Sequence, residues 1–190
     1  VESIFSTTEL DGGFSWSITT KLGDIIQTAE TLFGHRDKSY SILGVEVTDS
    51  QQPQIWFPGN RKDISIQITT ECIYDMNRAV YQAAHEVIHC LSPTGQNAAN
   101  VLEEGLACYF SIYYTSLNNH GSWNCASLKY ARAQSLFEKL NIIVPDIVRK
   151  VRQIQPIISL ITVEDLLLVD CAIPLELASM LTMKFTELGQ

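Results

Sequence analysis

The segment 75–93 carries apolar residues at helical spacing (Ala79, Val80, Ala83, Ala84, Val87, Ile88 and Leu91) and sets three ionisable residues, His85, Glu86 and His89, among them. Asp75 can cap this helix and Ser92-Pro93 stops it. A helix bounded and patterned in this way is a buried one, where a free charged group is expensive. The fold must therefore bring these side chains polar partners from a second element, or gather them on an ion. Positions i and i+4 lie on one helix face, about 5–6 Å apart at Cβ, so the two imidazoles can converge on one point. Glu86 is turned about 100° from His85 and is poorly placed to join them as a ligand.

Groups of matching chemistry follow at Glu103-Glu104-Gly105-Leu106-Ala107. Two imidazoles and one carboxylate suit Zn²⁺, whose catalytic sites use three protein ligands and leave a fourth position to water. Glu86 can reach such a water as a general base. Gly105 and Ala107 are small enough to let a second helix approach the first closely, although glycine inside a helix otherwise costs about 1 kcal/mol.

His85-Glu86-x-x-His89 with the downstream Glu-Gly-Leu-Ala resembles the gluzincin branch of the zincin metallopeptidases over residues 75–117. The resemblance implies that Glu104 is the third ligand of one Zn²⁺ and that peptide bonds are hydrolysed with Glu86 as general base. A peptide or protein is then the substrate. Glu103, turned about 100° from Glu104, becomes a solvated carboxylate or one that touches the ligands instead of the ion. The resemblance also calls for a Tyr or His downstream of the ligands to donate to the oxyanion. The candidates are His120, Tyr113, Tyr114 and Tyr130, with His120 favoured because it lies in a polar loop while Tyr113 and Tyr114 continue an apolar helix. A sheet edge beside the cleft would pair with substrate backbone. The strand that directly precedes the metal helix offers Ile66, Gln67, Ile68 and Thr69 for this. In one respect the chain departs from the family pattern: the acidic residue often found four positions after the ligand Glu is here Cys108. A thiol is a weak hydrogen-bond partner, so either Glu103 or a backbone carbonyl holds the imidazoles, or the metal is bound more weakly. Only Glu103 is available to bind a free substrate N-terminus, which favours an endopeptidase over an aminopeptidase. The alternative is a zincin-like metal-binding protein that regulates or binds without turnover, and a third reading is a structural domain with a coincidental motif.

The remaining pattern predicts an α+β domain of zincin-like layout. Apolar residues at 18, 22, 25, 26, 29, 32 and 33 make a helix ended by Gly34, expected behind a small sheet. Strands are expected at 40–47, 54–57 and 64–70, the last two joined by a hairpin at Pro58-Gly59-Asn60. Ile64, Ile66 and Ile68 alternate with Ser65, Gln67 and Thr69, which predicts one buried and one wet face. The metal helix is followed by a second helix from Asn97 or Asn100 to 117, then by helices at 122–140, 145–155, 163–169 and 174–188. One domain spans 1–190, with an upper α/β part over about 1–95 and a mostly helical lower part over about 96–190.

A net charge of -8 and a pI near 4.9 argue against nucleic acid as a partner. No apolar run is long enough for a membrane span, and residues 1–30 lack a leader pattern, although the sequence begins at Val1 and a leader or further domain outside it stays compatible. Five cysteines at 72, 90, 108, 125 and 171 are odd in number, irregularly spaced and free of Cys-x-x-Cys. That usage suits reduced thiols, hence a cytoplasmic protein.

Overall fold

A computed structural model describes residues 2–95 and 99–189. In chain order the elements are β1 (Glu9–Leu10), β2 (Gly13–Phe14), α1 (Ile18–Phe33), β3 (Ser41–Thr48), β4 (Gln54–Trp56), β5 (Asp63–Thr69), α2 (Met76–His89), α3 (Val101–Leu117), α4 (Leu128–Ile143), α5 (Ile147–Val151), α6 (Val163–Val169) and α7 (Leu175–Thr182), an α+β arrangement. The first three long helices start where side chains cap them. Ser17 accepts from Thr20 N, Asp75 from Arg78 N and Asn100 from Glu103 N, each meeting an otherwise orphaned helix donor. Asn97, the other expected start of α3, lies outside the described residues. At the end of α1, Gly34 turns at φ 93° while its N–H still reaches Glu30 O, a backbone conformation that L side chains rarely adopt.

The sheet has the order β3-β5-β4, with β3 parallel and β4 antiparallel to β5. The expected hairpin between β4 and β5 is present, but β5 then inserts between β4 and β3. This corrects the edge-strand expectation for Ile66, Gln67, Ile68 and Thr69. Both rims of β5 are already hydrogen-bonded, and among the described residues the rim left open towards the centre described below belongs to β4. Ile42, Val45 and Val47 of β3 and Ile55 of β4 stand in register with Ile64, Ile66 and Ile68, forming an apolar face that packs on α1 and α2. On the opposite face Gln54 Nε2 donates to Gln67 Oε1 at 2.7 Å and Gln67 Nε2 to Glu46 Oε2 at 3.2 Å, a polar row across all three strands. That face is less wet than the alternation predicts, since Ser65 and Thr69 are buried. Thr69 is held by Gln82 of α2, whose amide accepts from Thr69 N and donates to Thr69 Oγ1, both at 2.9 Å. The small β1–β2 hairpin was not expected; its Asp11-Gly12 turn is the local signal that marks it.

The helical half begins where α3 is pressed between α2 and α4. A Cβ added at Gly105 would lie 2.4 Å from Ala133 O and 3.1 Å from Phe137 Cβ. The small residue thus serves the approach of α4, not that of α2 as the sequence suggested. α4 starts at Leu128, later than the expected 122, after an irregular stretch. α5 is shorter than 145–155, and α7 ends at Thr182 instead of continuing to 188. There the chain leaves the helix to pair with the start of α3: Val101 N donates to Met183 O and Phe185 N to Ala99 O, both at 3.0 Å. Arg152 ties the two halves together. Its guanidinium donates to the carbonyls of Phe33, Gly34, His35, Leu91 and Pro156, at the ends of α1 and α2 and in the lower half, at 2.8–3.3 Å.

Gly105→Ala should destabilise the fold by about 1–3 kcal/mol or more, because backbone on α4 must move. Gly23→Ala, in an exposed stretch of α1 where an added Cβ meets nothing within 4 Å, should stabilise by about 0.5–1 kcal/mol. Urea unfolding midpoints of the two variants check the pair.

Candidate metal centre

The ionisable residues of α2 and α3 meet in the seam between the two helices. His85 and His89, one turn apart, have ring centroids 5.3 Å apart. Glu104 reaches them from α3, with Oε2 3.3 Å from His85 Nε2 and Oε1 3.8 Å from His89 Nε2. One ligand atom from each of the three lies within 4.8 Å of the others. The adjacent carboxylates part company as helix geometry requires. Glu103 Oε1 accepts from His89 Nδ1 at 2.9 Å, which turns Nε2 towards Glu104. Asn100 fixes this register: its Oδ1 accepts from Glu103 N and its Nδ2 donates to Ile158 O, both at 2.9 Å.

The arrangement fits one metal ion better than it fits a hydrogen-bonded cluster. Glu104 Oε2 is buried without a hydrogen-bond partner, although His85 Nε2 is only 3.3 Å away; the two atoms are close but not aligned as donor and acceptor. A buried carboxylate oxygen without a donor is costly. Two ligands about 2.0–2.1 Å from a tetrahedral ion lie about 3.3–3.4 Å apart; His85 and Glu104 have this spacing, and the His89–Glu104 pair is wider at 3.8 Å. His85, His89 and Glu104 can therefore hold a single ion, and Glu103 supplies the carboxylate that orients a ligand imidazole.

Glu86 is buried at 4 % exposure and lines the same cavity. Burial pushes its carboxyl above the ordinary range, partly offset by His85 and His89 and reinforced by Glu104 and Glu103. The cavity encloses about 630 Å³ and runs from β4, through Gln54, Ile55 and Trp56, past the three carboxylates to Tyr130 on α4. Tyr130 stands edge-on to His85 at 5.9 Å between ring centroids and rests on Phe185 at 4.8 Å. Burial, with Glu104 adding to it, pushes its phenol well up, so it is a neutral O–H donor at physiological pH.

The other aromatic and histidine candidates are placed elsewhere. His120 Nδ1 meets Asn77 Oδ1 at 2.9 Å near the start of α2, two turns from His85 and away from the cavity wall. This corrects the preference for the loop histidine. Tyr113 stacks on Tyr109 at 6.0 Å, and the Tyr114 hydroxyl donates to Asp24 of α1 at 2.5 Å. Tyr130 reaches the ligands because it shares a helix face with Ala133 and Phe137, the residues that press on Gly105. The strand at 54–57 was expected, but its place as the cavity wall was not, since that depends on β5 pairing with β3 on its other rim.

Comparison with protein-family models, with curated proteins and with solved structures gives no match.

Two outcomes follow for the centre. Alanine at His85, His89 or Glu104 should each remove bound metal, and Glu103→Ala should retain it with about 10- to 100-fold weaker affinity; competition against a chromophoric chelator measures both. The second outcome concerns pH. In the metal-free protein burial draws the His89 imidazole down, but Glu104, the bond to Glu103 and Glu86 outweigh it and push it up to about 10. A raised folded-state value means that this stabilisation is complete below the unfolded value, about 6.5, and is lost as pH rises through about 10. The thermal midpoint in chelator should therefore fall from pH 6.5 to 10, and saturating metal, which binds neutral imidazole, should flatten that fall. A flat or rising midpoint in chelator would contradict the assignment.

Proposed function

We propose that the protein is a zinc-dependent peptidase of zincin type, acting on peptide or protein substrates. The observation that carries this reading is the placing of a buried carboxylate, Glu86, beside a His85–His89–Glu104 ligand set in a cavity bounded by an open strand edge. Two imidazoles and a carboxylate as the donor set favour Zn²⁺ among divalent ions. Held by these residues, zinc supplies Lewis acidity, which lowers the pKa of water to about 7 and polarises a carbonyl.

The chain's own groups then have separate tasks. Glu86 accepts the proton of the attacking water and delivers it to the departing amine nitrogen, a role that its raised proton affinity suits. Tyr130 donates its O–H to the oxygen on which negative charge develops. The open rim of β4, at Gln54–Trp56, pairs with the backbone of an extended substrate and aligns the scissile bond. Glu103, the one carboxylate available to hold a free N-terminus, is committed to His89, which favours internal cleavage. Cytoplasmic residence accords with five free thiols. Among the described residues no helix is long and apolar enough to cross a membrane.

Glu86→Gln should lower turnover by at least about 10²-fold with zinc content unchanged, and Tyr130→Phe should lower kcat by about 10- to 10³-fold with little effect on KM. Mass-spectrometric detection of new termini in a broad peptide library, with wild type, each variant and chelated wild type, reads these effects. Full zinc occupancy with no cleavage in any sample would favour a metal-binding protein that acts without turnover.

A further inference from the structure

A second hollow adjoins the metal cavity at the end of α2. It encloses about 670 Å³ and shares Ser92, Pro93, Thr94 and Ser159 with the cavity wall. Its other walls come from the α1–β3 connection and the segment 156–160, and hydrogen bonds fasten these to the end of α2. Asp37 N donates to Leu91 O at 2.9 Å, Ile158 N to Ser92 Oγ at 3.0 Å, and Arg152 Nη2 to the carbonyls of His35 and Leu91 at 2.8 and 3.3 Å. These bonds hold the hollow in shape without an occupant, which lowers the ordering cost of filling it. Leu91 and Ser92 follow His89 by two and three residues, so the hollow opens about one helical turn, or 5.4 Å, beyond that imidazole.

Charge decides what the hollow can take. In a chain of net charge -8 it is lined by two arginines and one carboxylate, and neither arginine forms an ion pair among the described residues. Arg152 spends its N–H groups on five carbonyls, so it contributes charge alone. Arg36 differs. Its Nη1 donates to Tyr40 O at 2.8 Å and Asp37 O at 3.4 Å, while Nε and Nη2 have no partner among the described residues. Those two nitrogens form the edge that a carboxylate takes with two parallel hydrogen bonds. The Asp37 carboxylate is turned to Ser39 N at 2.9 Å, and Lys62 Nζ, 4.0 Å from the ring centre of Tyr40 on the same wall, adds a third cation. The three carboxylates of the metal centre line the cavity and not this hollow. We propose that the hollow is a subsite for an acidic side chain of the substrate, held by the open edge of Arg36. An extended peptide advances about 3.3 Å per residue, so the acidic residue lies about two to four residues from the scissile bond. This inference rests on the peptidase reading and names the class of substrate, peptides with an Asp or Glu at that distance.

The test uses the full chain loaded with zinc and fluorescein-labelled dodecapeptides of Gly, Ala and Ser in which a single Glu, Gln or Lys is scanned along the sequence. Mass spectrometry locates each cut and gives kcat/KM, and fluorescence anisotropy gives Kd on Glu86→Gln. Cleavage should favour Glu over Gln by about 5- to 20-fold at one position within that range, with Lys disfavoured, and Kd should follow the same order. Arg36→Glu should abolish the preference for Glu and favour Lys. Cleavage with no preference for Glu, or with one that survives Arg36→Glu, overturns the proposal and keeps the peptidase. If no peptide is cleaved but Glu86→Gln binds the Glu peptides more tightly, and loses this when Arg36→Glu is added, the acidic seat stands and the peptidase reading falls. Equal Kd values for Glu, Gln and Lys in that case overturn the seat as well. Wild-type preferences decide the matter even if Arg36→Glu folds poorly.

Discussion

Three carboxylates and two imidazoles share one helix seam, and the rest of the chain is fitted around the cost of burying them. Glu103 lies against His89, Glu104 faces both rings, and Glu86 stands beside them with its carboxyl pushed towards the protonated form. Such a cluster persists only if the helices that carry it are held to within a fraction of an ångström, because each contact depends on side chains of fixed length. The surrounding packing provides that restraint. α3 is pinned on one side by α2, on the other by α4 at Gly105, and at its start by the Asn100 cap and the bridge to Lys184.

The carboxylate pair shows how one residue of spacing divides labour. Glu104 and Glu103 are chemically identical and adjacent, yet the rotation between neighbours sends one to the inner nitrogens and the other to the outer nitrogen of His89. Glu103 thereby does for His89 what an acidic residue at position 108 would otherwise be expected to do for a ligand imidazole.

What was legible in the sequence was what local geometry decides. Asp75, Asn100 and Pro93 bound the two central helices because caps and stops act on their own neighbours. His85 and His89 converge because four residues make about one turn. The hairpin into β5 followed from its turn residues for the same reason. The errors concern pairings between distant segments. Nothing within 64–70 reveals that β3 closes its second rim, so the strand beside the cleft was misassigned. Whether Tyr130 or His120 approaches the ligands depends on where α4 begins and on which helix Gly105 faces, and both are decided across the α3–α4 interface. Residues 183–188 have helical character by composition, but pairing with residues 99–101 holds Met183 and Lys184 extended, and only a single 3₁₀ turn, Phe185–Glu187, follows.

That last pairing bears on the order in which a nascent chain matures. Synthesis delivers His85, Glu86 and His89 first and Glu104 soon after, but Met183, Lys184 and Phe185, which brace the start of α3 and support Tyr130, follow about eighty residues behind Glu104. During elongation α2 and α3 are free to associate through their apolar faces, while the bracing at Ala99–Val101 and behind Tyr130 waits for residues 183–185. The polypeptide therefore carries these side chains as a loose, unbraced set until residues 183–185 have been made, and the rigid centre follows only then.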